Sequence, residues 1–243
     1  MSALYRLQPV LLIISIALAW LFPLIALATK VGLWDFRIAF SLIAGCALTA
    51  AIVLALAGIG LIGAIKNRNQ KAKHRAALVV LILIIPMATL FYHGLKGSQA
   101  PMIHDITTDT ANPPQFNKVL ELRDEGANSL QIDADVIKLQ QEHYPAIGSL
   151  ALSMGKPAAM EKIQSTMLAL GWEILAADEA SGIIEASDTS FWFGFVDDVV
   201  VRISATESGG VLVDMRSASR VGKSDLGKNA QRIQTFMDAL KQP

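Results

Sequence analysis

With 243 residues the chain is long enough for one or two domains. Its hydrophobic share of 53% and mean hydropathy of +0.44 are high for a wholly soluble protein. Lys+Arg and Asp+Glu balance at 21 each, so net charge makes no case for nucleic acid, and the lone Cys46 excludes an intramolecular disulfide, a cysteine zinc site and a CxxC redox pair.

Charge is scarce in the amino-terminal part outside one short basic run, and ordinary after it. The segment 9–28, PVLLIISIALAWLFPLIALA, is uncharged and matches the roughly 20 residues a helix needs to cross a bilayer. Pro23 should kink this helix or mark its last turns. The run is too long for a signal-peptide core, and Lys30-Val31-Gly32 is a poor cleavage site, so it reads as a retained helix. A second uncharged run, 38–65, contains Gly45, Gly58, Gly60 and Gly63. These glycines form either a helix-packing face or the general small-residue enrichment of membrane helices. A third run, 76–95, has Pro86 near its middle. Residues 1–96 thus read as a membrane domain.

The loop between the second and third runs carries Lys66, Arg68, Lys71, Lys73 and Arg75, whereas the first loop offers Lys30 and Arg37 offset by Asp35. The positive-inside bias predicts a cytoplasmic second loop and a cytoplasmic amino terminus. Three crossings then deliver the carboxyl domain to the other side. The expectation is a multi-pass protein of the cell inner membrane with a periplasmic domain.

Residues 97–115 are rich in Gly, Ser, Pro and Thr and read as a linker; Asn112-Pro113-Pro114 cannot continue a helix. Residues 116–243 read as the extracytoplasmic domain. From 116 to 130 there is no clear period. Asp133 is a candidate cap for a helix that runs to Tyr144 and stops at Pro145. Pro157 suits a first helical position, Met160, Ile163, Met167 and Leu170 recur at helical spacing, and Gly171 suits the residue past the end. Strands are predicted over 172–177 and 183–187, with further β-type stretches at 191–195, 199–205 and 211–219. Asp197-Asp198 interrupts them as a polar turn. The last two stretches form a hairpin through Glu207-Ser208-Gly209. That register sets Arg202 opposite Asp214 and puts Val201, Ile203, Val213 and Met215 on the other face. A final helix is expected from a Ser224 cap, with Leu226, Ala230, Ile233, Met237 and Leu240 as its buried stripe. The fold class is α+β: three transmembrane helices, then an antiparallel sheet with helices on one face.

The segment RSASRVGKSDLGKNAQRI, 216–233, closely resembles the signature of the DUF1499 family. GWEILAADEASGIIEAS, 171–187, is similar to the family's strand pair, and WFGFVDDVVVRI, 192–203, to its central block. IHDITTDTANPPQF, 103–116, resembles the domain's start in a membrane-anchored bacterial subgroup with three amino-terminal helices. The resemblance covers about 103–240. The family's name records an unknown function, so it implies no catalytic residues.

The candidate ligand site is Arg216, Arg220, Ser224, Asp225, Asn229 and Arg232, with Lys223 close by. Basic side chains around a helix start suit phosphate, carboxylate or a lipid headgroup. The competing reading is structural, with Asp225 capping the helix and pairing with Arg220 or Arg232. Asp225, Asn229 and Arg232, spaced at four and three, are then expected to tie the helix to the strand carrying Arg216 and Arg220. Two weaker candidates remain. Asp197 and Asp198 are adjacent, so on a strand they would face opposite ways. His104, Asp105, Thr107, Thr108 and Asp109 offer too few ligands for a metal, and no metal site is expected. No GxSxG, HExxH or phosphate-loop pattern occurs, and no cofactor is expected. The leading expectation is a non-enzymatic binding or accessory subunit at the extracytoplasmic membrane face. Its partners would be the lipid bilayer, a larger membrane protein complex and an anionic or lipid-like ligand, with no nucleic acid. The alternative is a periplasmic-face enzyme, hydrolytic, using Asp225, Arg220 and Asn229.

Overall fold

The computed structural model describes residues 4–242. The chain divides into two compact units, one of Met1–Leu95 with the short loop Phe191–Gly194, the other of Lys96–Ser190 with Phe195–Pro243.

The first unit is helical. Helix α1 is Gln8–Lys30, α2 is Phe36–Lys66, and α3, Gln70–Gln99, begins in this unit. All three are long and apolar enough to cross a membrane. Each is a continuous helix, so its backbone groups are satisfied within the segment, as lipid requires. Pro23 and Pro86 lie inside continuous helices. Asp35 caps α2 by accepting the Arg37 N–H at 2.8 Å. The helices meet through Leu11 and Leu18, Ala50, Val53 and Ala57, and Val79 and Leu83. Gly60 and Gly63 continue the buried face of α2, while Gly45 is exposed. Two of the four glycines therefore serve packing. Large apolar side chains such as Ile13, Trp20, Leu81 and Ile85 point outward. An outward apolar shell on helices of this length marks a membrane-associated protein.

The second unit is a mixed α+β domain. Its strands are β1 (Asp105–Thr107), β2 (Leu150–Leu152), β3 (Glu173–Asp178), β4 (Ile183–Thr189), β5 (Val196–Ala205) and β6 (Val211–Ser219). Helices α4 (Ala134–His143), α5 (Lys156–Ala169) and α6 (Lys228–Leu240) complete it. Strands β3 to β6 form an antiparallel meander, and β1 and β2 both pair with the free edge of β6. The stretch 97–115, whose composition suggests a connection, thus contributes β1.

Arg202 stands opposite Asp214, the register expected of the hairpin. Val199, Val201, Ile203, Val213 and Met215 face α5 and α6 and enclose the core with Met160, Ile163, Ile233 and Phe236. The opposite face is covered too, though not by an α-helix. The irregular segment 109–130, with a 3₁₀ turn at Lys118–Leu122, lies over it and buries Phe116 and Val119 against Val200 and Ala218.

Three local expectations are corrected. Residues 191–195 are a loop, not a strand, because Ser190 and Phe195 close on each other as strand β4 ends. Asp197 and Asp198 lie inside β5 rather than in a turn, each held by an arginine that removes the cost of a carboxylate in a sheet. Helix α6 starts at Lys228, not after Ser224, and Leu226 is exposed. Leu226 and Gly227 both have positive φ, 55° and 79°, which no helical turn accommodates.

Candidate functional site

Strand period divides the six candidate residues between two faces. Along β6, Ser217 and Ser219 point to the α6 side, while Arg216 points to the side of segment 109–130, as Arg220 does just past the strand end. The structure therefore builds two polar clusters, back to back across the sheet.

On the α6 side the hub is Asn229, which is 0% exposed. Its Nδ2 donates to the His104 carbonyl at 2.9 Å and to Ser219 Oγ at 3.0 Å. Its Oδ1 accepts from Ser217 Oγ and from Arg232 Nη1, both at 2.6 Å. Arg232 also holds Asp188 through Nε and Nη2, at 2.9 and 2.7 Å, and Asp197 through Nη2 at 2.6 Å. Burial works against the Arg232 charge, but the two carboxylates outweigh it and raise its pKa above the ordinary value.

Asp225 does not meet an arginine, contrary to the expected pairing with Arg220 or Arg232. Its Oδ1 accepts the Gly227 N–H at 2.8 Å and its Oδ2 the Asn229 N–H at 2.7 Å. Ser224 Oγ accepts the Leu226 N–H at 3.2 Å and donates to the Pro101 carbonyl at 3.0 Å. These two side chains wind the entry to α6 into tight turns, which is why the helix begins late. Burial pushes the Asp225 carboxyl above the usual aspartate range, the two N–H groups pull against it, and the nearby Asp197 charge adds to the rise.

On the far side, Arg216 is 1% exposed. Its Nε and Nη2 grip Asp105 in a two-point pair at 3.0 and 2.7 Å. It also donates to the carbonyls of Pro114 and Leu130. Arg220 grips Asp198 through Nε and Nη2 and donates to the Leu122 carbonyl at 3.0 Å. Arg123 reaches the same Asp198 at 2.6 Å and the Asn128 carbonyl at 2.8 Å. Arg202 joins Asp109 and Asp214, each at 2.9 Å, and the Asn112 carbonyl at 3.0 Å. One rule organises this face. Arg202, Arg216 and Arg220 each pair with a carboxylate and spend further donors on carbonyls of a segment that has no sheet or α-helix of its own, while Arg123, inside that segment, also reaches the Ser219 carbonyl of β6. Buried Glu185 completes the pattern by accepting the N–H groups of Asn117, Lys118 and Val119 at 2.8–3.0 Å, which caps the 3₁₀ turn.

The linker residues singled out for metal are engaged in the same way. Asp105 is taken by Arg216 and Asp109 by Arg202, while Thr108 Oγ1 donates to Asp214 and accepts the Met215 N–H. Sequence reasoning missed Arg123, Asp188 and Glu185. Asp188 and Glu185 carried a signal, since alternation along β4 sends them to opposite faces. Arg123, in aperiodic chain, carried none.

A cavity of about 600 Å³ lies beside α6, lined by His143, Tyr144, Leu226, Ala230, Gln231 and Thr235 among others, and none of the six candidate residues lines it. A smaller one of about 220 Å³ is bounded by Trp172, Asp188, Lys228, Gln231 and Arg232.

The architecture defines a class: a small α+β domain with an arginine–carboxylate lattice, in a chain with three apolar helices at its amino end. The chain belongs to the DUF1499 family, described as a protein of unknown function, which it matches over residues 105–240. The three apolar helices fit a membrane-anchored subgroup of it. Comparison with curated proteins finds no match.

Proposed function

We propose that this is a non-enzymatic, membrane-anchored binding or accessory protein whose carboxyl domain works at the extracytoplasmic face. One observation carries the reading: the charged side chains of the candidate site are committed to partners within the fold. Catalysis by Asp225, Arg220 and Asn229 would need them to converge. Instead Arg220 is bound to Asp198 on one side of the sheet, while Asn229 and Asp225 serve the α6 side. An acid–base pair also needs a group free to exchange a proton with substrate.

The proposed partners are the bilayer and a larger membrane protein complex. The proposed anionic or lipid-like ligand binds in the smaller cavity at Lys228, next to Arg232, whose own charge is taken by Asp188 and Asp197, with Trp172 as an apolar wall. The proposed setting is the inner membrane, with a cytoplasmic amino terminus, and it rests on the basic run 66–75.

Gentle detergent purification of the full chain, followed by mass spectrometry of co-purifying proteins and lipids, tests this. A reproducible membrane-protein or anionic-lipid companion is expected, and the lipid should be lost in Lys228→Gln. A chain that purifies alone, and that hydrolyses anionic lipid in an Asp225-dependent way, would favour the enzyme instead.

A further inference from the structure

We propose that the loop Phe191-Trp192-Phe193 is a lipid-interface element, with its rings in the headgroup region of the bilayer. The proposal rests on reading α1 to α3 as membrane spans. The loop carries no charge between Thr189 and Val196. Its neck is pinned: Ser190 N–H donates to the Phe195 carbonyl at 2.8 Å, and Ser190 Oγ accepts the Phe195 N–H at 2.9 Å. The pinned neck presents the aromatic residues as a tip. Phe191 and Trp192 are 70% and 51% exposed and stand edge-to-face with centroids 5.1 Å apart. Exposed adjacent aromatics of this size are unfavourable against water and mark a contact surface.

Membership of the loop in the helical unit says what that surface meets. Lys30, the last residue of α1, donates through Nζ to the Phe191 carbonyl at 3.0 Å and sits 5.1 Å over the Phe191 ring. Phe40, in the second turn of α2, stands edge-to-face with Phe193 at 5.5 Å. The tip therefore lies at the α1–α2 turn, a stretch that itself carries Trp34, Phe36 and Arg37. The ends of spanning helices are where Trp and other aromatics concentrate, since their rings suit a layer that is apolar on one side and wet on the other. A lysine at such an end extends toward the headgroups and satisfies the loop's carbonyl.

The test uses the full chain in phosphatidylcholine–phosphatidylglycerol vesicles. Cys46 is the sole cysteine, so a Cys46→Ala background accepts single nitroxide labels at Trp192→Cys, at Phe191→Cys as a second loop site, at Ile13→Cys on α1 and at Glu207→Cys in the β5–β6 turn. Collisions with oxygen and with a water-soluble nickel chelate are read at each label. The loop sites should show oxygen-rich collision as Ile13 does, and lose most of the chelate collision seen at Glu207. Chelate access at the loop equal to Glu207, or shielding from both reagents, overturns the proposal while leaving the spans intact. Chelate access at Ile13 overturns the membrane reading and this proposal with it.

Discussion

Arg216 is a buried cation whose charge is neutralised by Asp105, a residue 111 positions away. Taking two charges out of water is costly, and the pair is tolerable because both partners are held at two points and the leftover donors meet carbonyls. Arg216→Ala should therefore cost about 3–5 kcal/mol, because it strands the Asp105 carboxylate. Adding Asp105→Leu to Arg216→Met should recover most of that loss; denaturant midpoints of the singles and the double check it. Asp225 belongs to a different regime. With no arginine partner, its contribution is that of a helix-entry cap, so Asp225→Ala should cost about 1–2 kcal/mol rather than the larger loss of a broken buried ion pair. Its pKa is raised on folding, chiefly by burial. Between the unfolded and folded values, the folded domain holds the proton and the unfolded chain has released it. Stability therefore falls as pH rises through that window above the ordinary aspartate range. Asp225→Asn should flatten this slope, which denaturation midpoints measured from about pH 4 upward would show.

Strand β6 shows how an element sorts residues that look like one cluster in sequence. Arg216-Ser217-Ala218-Ser219-Arg220 alternates strictly, so the serines join Asn229 and Arg232 while the arginines face segment 109–130. The hairpin register and the 211–219 strand were legible because two-residue alternation is a local signal. The same alternation, read through to Arg220, would have separated the candidate site in advance. The start of α6 was not legible, since Ser224 and Asp225 can cap a helix directly or wind the turns ahead of it. At the β3–β4 turn, Gly182 has φ 75°, and a Cβ there would lie 2.5 Å from the Ile203 carbonyl oxygen. Gly209, in the β5–β6 turn, has φ 83° and open space around it. Both alanine variants carry backbone strain of about 1–3 kcal/mol, and Gly182→Ala should be the worse of the two. Parallel thermal melts of Gly182→Ala and Gly209→Ala would check the order.

At the scale of the molecule, the three apolar helices of the described residues, with the basic run between the second and third, predict a carboxyl domain outside the cytoplasm. A phosphatase or fluorescent reporter fused after Gly97 tests this. Phosphatase activity, with a dark cytoplasm-dependent fluorophore, is the expected pair of results. The reverse pair would move the domain to the cytoplasm and withdraw the extracytoplasmic role.

The apolar helices, the helix-and-strand character of the second unit and the β5–β6 register are all short-range properties. Hydropathy over about 20 residues and alternation over a few need no knowledge of distant chain. Family membership was legible for a related reason, since its signature is a contiguous stretch. Apart from Arg202, whose place opposite Asp214 follows from the hairpin register, the tertiary structure alone decided which carboxylate each arginine takes, because the partners are brought together by long-range pairing and not by spacing. It also decided that segment 109–130, with no period of its own, is held by Arg202, Arg216 and Arg220 and by Glu185, while its own Arg123 reaches out to Asp198. A chain without regular structure exposes backbone groups that only side chains from elsewhere in the fold can satisfy.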